Sequence, residues 1–222
     1  DYQLIRDTID DVVDNEGDFD MRKTGYILED GSQEWPNAAY KFNSTFRDWI
    51  NTVEIEKSKR KESFYKYLKE CKGYFLNFNY TETLQKLYCI QDQDVLHIHG
   101  FRGDGESSII MGHNSGEIEY ESAMLGYDDN IRSLHAVLKK NLQLDTLKKF
   151  LNTCEDIINI ICIGFSFGDS DDEYIRALIN HPKTSHATWL LNEHKEDEVA
   201  EQSRKLQRFG IDPSKITSEK IL

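Results

Sequence analysis

Two short apolar runs, FLNFN at residues 75–79 and VLHIH at residues 95–99, most constrain what this chain can fold into. Each is short for a helix and too continuously apolar for a half-exposed strand, which is how strands covered on both faces read. The pattern continues to the end of the sequence. After Gly73 come the strand-like YFLNFN, the helical TETLQKLY, then DVLHIHG and SIIMG as strands. An amphipathic helix is expected over residues 129–153, followed by the strand DIINIICIG, a helix over 171–180, the strand HATWLL and a helix over 193–208. Parallel neighbours need a crossover connection, usually a helix. Residues 73–222 therefore predict an α/β core, a parallel sheet with helices on both faces.

Residues 1–72 predict a mostly helical layer or subdomain in front of that core. Apolar positions recur at helical spacing over 2–14 and 38–54, and Phe42, Phe46, Trp49, Ile50 and Val53 are expected to form one buried face. Residues 58–71 supply another helix. The intervening NEGDFDMRKTGYILEDGSQEWP is polar and contains glycine, with Pro36 suited to a first helical turn.

The 222 residues suit one large domain or a core with a smaller subdomain. A formal net charge of −13 repels nucleic-acid phosphates, and the most basic run, KSKRKESFYKYLKECK, reads as the solvated face of a helix. Nucleic acid is not an expected partner. Cys71, Cys89, Cys154 and Cys162 form no CxxC pair and show no metal-ligand spacing, which fits reduced thiols in a cytoplasmic protein. The longest apolar run, IINIICIGF, is about half of the roughly 18 residues that a membrane span needs. No signal peptide is visible. The chain begins at Asp1 inside a helix-like stretch, so an upstream segment is expected.

Ligands of open parallel sheets bind outside the carboxyl ends of the strands. Three such ends carry polar sequence here. Strand side chains repeat every second residue, so Asn77 and Asn79 are expected to share one strand face, and His97 and His99 another. The third end, GFSFGDSD, offers Gly164 and Gly168 for close backbone approach, Ser166, and a helix N-terminus. Asp169 or Asp171 could cap that helix or accept hydrogen bonds from ribose hydroxyls. Taken singly, a strand-end Asn tethers turns, a lone His is a bonded core residue, and GDSD is a good cap. Taken together, the three ends predict one cleft. Two further chemistries stay open. His97, His99, His113 and Asp169 could hold a metal, although no third ligand has a fixed spacing and no metal is expected. GFSFG also matches GxSxG, with His181, His186 and His194 following Ser166, but no oxyanion motif accompanies it.

Read together, FLNFNYTETLQKLY, VLHIHG, IIMGH and IGFSFGDSDDEYI resemble the AbiH family of bacterial phage abortive-infection proteins and, more distantly, sirtuin-like domains. The similarity runs from about residue 75 to 175. It implies a Rossmann-like, sirtuin-like pocket binding NAD or a related nucleotide, and an NAD glycohydrolase activity in phage defence. In that resemblance Asn79 positions ribose and water, and His99 is the general base. Gly164, Ser166 and Asp169 hold the nucleotide, with Gly168 and Asp171 in the same loop and Asn77 and His97 in support. His113 falls on the family-like GH without an assigned role. A phage protein is the candidate trigger and a homo-oligomer a candidate assembly. Such families open with a strand and a GNGFD-type turn that cradles pyrophosphate. GDFDM at residues 17–21 follows a helix instead, which places that turn upstream or leaves the chain without it. Zinc-ribbon cysteines are absent, so protein deacetylation is not expected. The alternatives are a non-catalytic nucleotide sensor or partner-binding module, and a metal-dependent nuclease or other hydrolase.

Overall fold

The structure is a computed structural model that describes residues 13, 16–18, 20–103, 109–113, 125–193 and 196–221. The chain divides into two compact units, residues 1–46 with 115–139 and residues 47–114 with 140–222. The helix expected over residues 2–14 lies outside the described residues apart from Val13.

In the first unit, helix α1 (Met21–Ser32) forms in sequence that read only as a polar connection. Its start is set by Asp20, whose carboxylate accepts from the backbone N–H groups of Arg22 and Lys23 and so satisfies two orphan donors of the first turn. Helix α2 spans Trp35–Asn51, of which residues 47–51 belong to the second unit. Its buried positions are Ala39 and Ile50, whereas Phe42 and Trp49 are about 60 % exposed. The single buried face expected from Phe42 to Val53 is therefore corrected. Trp35, Phe42 and Trp49 recur every seven residues along a flank of the helix, and the inward face follows positions 39, 46 and 50.

The second unit holds helix α3 (Glu62–Glu70), strand β1 (Phe75–Asn77), helix α4 (Thr83–Tyr88) and strand β2 (Val95–His97). Helix α5 (Leu125–Leu138) belongs to the first unit, where Asn130 donates to the Glu29 carbonyl and to Ser32 of α1. The chain then returns to the second unit with helix α6 (Leu144–Thr153), strand β3 (Asn159–Cys162), helix α7 (Asp172–Asn180), strand β4 (Thr188–Asn192), helix α8 (Glu196–Arg208) and strand β5 (Ile216–Glu219). The architecture is mixed α/β, and strands β1 to β5 pair in parallel.

Three expectations are corrected. The strands form two parallel sheets, β1–β2 and β3–β4–β5, rather than one. SIIMG contributes no strand among its described residues: Ile110 N–H instead donates to the His99 carbonyl, and the Ile110 carbonyl accepts from the Tyr80 hydroxyl. The long helix over 129–153 is broken at residues 139–143, where the Gln143 N–H donates to the Tyr174 hydroxyl at 2.8 Å in place of a helical carbonyl. Strand β5, parallel to β4 with Leu191 opposite Ser218, was not legible in ITSE, whose side chains are mostly exposed.

Two apolar clusters hold the second unit. Phe167, Ile175, Trp189, Leu191, Leu206 and Ile211 pack between the β3–β4–β5 sheet and helices α7 and α8. Ile98, Leu147, Leu151 and Tyr174 pack beneath the β1–β2 sheet. β4 alternates, burying Trp189 and Leu191 on one face. Leu191 is fully buried, so Leu191→Ala is expected to cost about 2–5 kcal/mol through lost transfer energy and a residual cavity. Urea unfolding followed by the emission of the buried Trp189 measures it; a midpoint equal to that of the unsubstituted chain would contradict this core.

Candidate functional site

The polar strand ends are reached sooner than the sequence suggests. β1 stops at Asn77 and β2 at His97, which are register partners, so Asn79 and His99 lie beyond the ladder. The expectation that each polar pair shares one strand face is corrected for that reason. Asn77 is buried and folds the chain back on itself: its Oδ1 accepts from the backbone N–H of Asn79 at 3.0 Å and from the Asn79 amide at 3.3 Å. His97 joins this group. Its Nδ1 lies 3.3 Å from Asn77 Nδ2 and 3.2 Å from the Asn79 carbonyl, and its Nε2 lies 3.0 Å from Gln85 Nε2 of α4. Asn79 itself is exposed, with its amide held in place from below. Asn77 and His97 are supports for it.

His99 sits in a different group. Gly100, at φ 71°, takes the left-handed conformation that turns the chain immediately after it, and the Gly100 N–H closes the turn on the His97 carbonyl. The imidazole is 5 % exposed and is packed by the rings of Phe78, Tyr80 and Tyr174 at 5.3, 6.2 and 5.9 Å. Its Nε2 lies 3.1 Å from Asp171 Oδ1. The same oxygen receives Lys140 Nζ at 2.5 Å, and Lys140 is buried as well. Burial pushes the Asp171 carboxyl up, but hydrogen bonds from His99 and Lys140 and the lysine charge outweigh it and hold the group below the usual carboxylate range. An ionised carboxylate only accepts, so the proton shared with His99 is carried by Nε2.

Asp171 occupies the N-cap position of α7 yet makes no capping hydrogen bond there. An Asp at that position ordinarily accepts from the first-turn N–H groups, worth about 1 kcal/mol. Its carboxylate faces His99 and Lys140 instead. Asp169 goes elsewhere. It pairs with Lys205 of α8 at 2.6 Å, and Lys205 also meets Asp172 at 2.6 Å and the Phe167 carbonyl at 2.7 Å. Burial works against the lysine charge, while the two carboxylates raise its affinity for the proton above the ordinary value. Lys205 thus clamps the segment where Phe167, at φ 55°, holds a left-handed conformation that costs a non-glycine residue energy. Gly164, at φ 63°, has the same conformation without that cost, and both Gly164 and Ser166 are exposed. Gly168 starts the short 3₁₀ turn that delivers Asp171.

The structure brings together His99 with Asp171, and Asn79 with Asn77 and His97. It does not bring Asp169 to either group. Among the described residues no histidine is hydrogen-bonded to Ser166, and no three His, Cys, Asp or Glu side chains converge as a metal site. Sequence reasoning missed Lys140, which lay inside the continuous helix expected over 129–153. The one signal of a break there is Asp145, an acidic residue placed in the first turn of α6. Lys205 gave no signal, being one cation in a highly charged helix. Arg102 and Glu82, paired at 2.9 Å, tie the segments that follow β2 and β1 and were also missed.

The site is thus that of a mixed α/β protein with a buried carboxylate–imidazole–ammonium group and a braced asparagine beyond two parallel strand ends. The family model described as "Bacteriophage abortive infection AbiH" matches residues 1–193, and the chain belongs to the AbiH family. Membership carries a role in phage abortive infection, an anti-phage defence. No curated protein and no solved structure matches the chain. No helix among the described residues is long and apolar enough to cross a membrane.

Asp171→Asn leaves Lys140 buried beside a neutral acceptor, and breaking a buried pair in this way costs about 3–5 kcal/mol at neutral pH. A lowered carboxylate contributes stability that is present above its ordinary value of 3.8 and drains away as pH falls through the lowered one. The gap between the two proteins should therefore be full at neutral pH and close only below that ordinary value. Urea midpoints taken along an acid series measure it, and a gap that closes already near neutrality would contradict the assignment.

Proposed function

We propose that this AbiH-family chain binds NAD or a related nucleotide in a Rossmann-like, sirtuin-like pocket at these strand ends and hydrolyses its nicotinamide–ribose bond. One observation carries the reading. A helix-cap aspartate forgoes its cap to hold a buried histidine, immediately beyond a parallel strand end and beside a second strand end that presents Asn79. Structural aspartates at such positions cap. One turned onto an imidazole orients it for proton transfer.

The chemistry is as follows. The bond between the ribose C1′ and the nicotinamide nitrogen breaks, its electron pair leaves with nicotinamide, and an oxocarbenium-like sugar remains. Water attacks C1′, forming the new C–O bond, and its proton passes to the base. The products are nicotinamide, ADP-ribose and one proton. His99 receives the proton from water or a ribose hydroxyl on Nδ1, the nitrogen that Asp171 does not occupy. Asn79 orients the water and the ribose through its amide. Gly164 and Ser166, both exposed at the end of β3, offer backbone and hydroxyl groups to the rest of the nucleotide.

The burial of His99 favours a second reading, in which the pocket senses a nucleotide without turning it over. Nicotinamide release by the purified chain separates the two. Under the hydrolytic reading, His99→Ala loses about 10²-fold or more of the activity, as removal of a general base does, and Asn79→Ala loses a large part of it. Full activity in both variants would overturn the mechanism. Calorimetric binding of NAD that is indifferent to His99→Ala, with no product, establishes the sensor.

A further inference from the structure

Lysine is almost never fully buried unless its charge is met. The Lys140 side chain is 4 % exposed, and the group that meets its charge is Asp171. Its Nζ and the His99 Nε2 converge on one carboxylate oxygen, at 2.5 and 3.1 Å. The ring of Tyr174 lies 5.9 Å from the same ammonium. Lys140 is placed there by the break between α5 and α6, and its backbone N–H is fixed on the His113 carbonyl at 2.9 Å.

This arrangement has an electrostatic consequence. A carboxylate alone beside a buried imidazole favours the imidazolium, because an opposite charge within about 4–6 Å stabilises the charged form. An imidazolium has a proton on both nitrogens and cannot act as a base. A cation on the same carboxylate oxygen opposes that protonation. Among the described residues, the other titratable groups packed on the ring are Tyr80, from the segment after β1, and Tyr174, from α7. Burial pushes both phenols up, so they stay neutral, and among the described residues Asp171 and Lys140 are the charged groups at the ring. We propose that Lys140 is a positioning residue for His99: acting through Asp171, it offsets the carboxylate charge and keeps the ring neutral, with its proton on Nε2 and its lone pair on Nδ1. The use of that lone pair as a base rests on the NAD-cleavage reading, whereas the distribution of charge does not.

The test is made on the ligand-free chain, so that its failure is separate from a failure of nicotinamide release. Nitrogen-15 labelling of the histidine rings reports which nitrogen is protonated, and the His99 signals are those lost in His99→Gln. At neutral pH the unsubstituted protein is expected to show a neutral Nε2–H ring. In Lys140→Met the ratio of charged to neutral ring should rise about tenfold or more, the usual size of one nearby charge. Lys140→Arg, which keeps the cation, should restore the original signature. A lysine that serves packing alone would lower stability in Lys140→Met and leave the state of the ring unchanged in the folded variant, and that result overturns the proposal. An unsubstituted protein whose ring is already the imidazolium, or is protonated on Nδ1, also overturns it, even if Lys140→Met does not fold.

Discussion

A carboxylate buried at the start of a helix governs the rest of the second unit. Asp171 lies where a cap would be cheap, but it faces inward, and an ionised group taken out of water is costly unless matched. The match comes from Lys140, which lies in the break between helices at 139–143. Once α5 stops short, Gln143 loses its helical acceptor and its N–H bonds the Tyr174 hydroxyl, which anchors the start of α6 to α7. Tyr174 in turn belongs to the apolar cluster with Ile98, the residue just before His99. One ion pair therefore couples a helix break, a helix–helix contact and the placement of the imidazole.

The loop from Gly164 to Asp171 works because its two aspartates pull on different elements. Asp169 is drawn to Lys205 on α8, while Asp171 is drawn to His99 and Lys140. Just before them, the Phe167 carbonyl is also held by Lys205, so the left-handed residue is fixed to α8. Phe167 and Phe165 stack at 4.8 Å, and Phe165 reaches Phe78 at 4.3 Å, carrying rigidity to the ring that packs on His99. Under the proposed function, such support holds His99 in place for proton transfer.

Much of this was legible in the sequence. The alternation after Gly73 gives the parallel α/β character, and the polar strand-end residues fall into two groups, His99 with Asp171 and Asn79 with Asn77 and His97. What was not legible depends on tertiary contacts. A two-residue period predicts a shared face for His97 and His99, but only while the strand continues, and β2 ends between them. Helical periodicity carries through residues 129–153 because the break contains neither proline nor glycine, and the contacts made there, Lys140 with Asp171 and Gln143 with Tyr174, are distant in sequence. Asp169 and Asp171 are alike in the sequence, and only packing separates them: Asp169 is exposed and meets Lys205, whereas Asp171 is buried against His99 and Lys140. Phe42 and Trp49 fit a helical face equally well whether they turn inward or lie on the flank, and packing decides.

The proposed function requires a nucleotide to occupy the strand ends of the second unit. Titrating NAD into the nitrogen-15-labelled chain, with backbone amides assigned, tests this most directly. Saturable shifts are predicted at Asn79, His99, Gly100 and the Gly164–Gly168 segment, with helix α3 unaffected. Absence of any saturable shift at these amides at millimolar NAD, in a protein that is folded by the same spectrum, would contradict it.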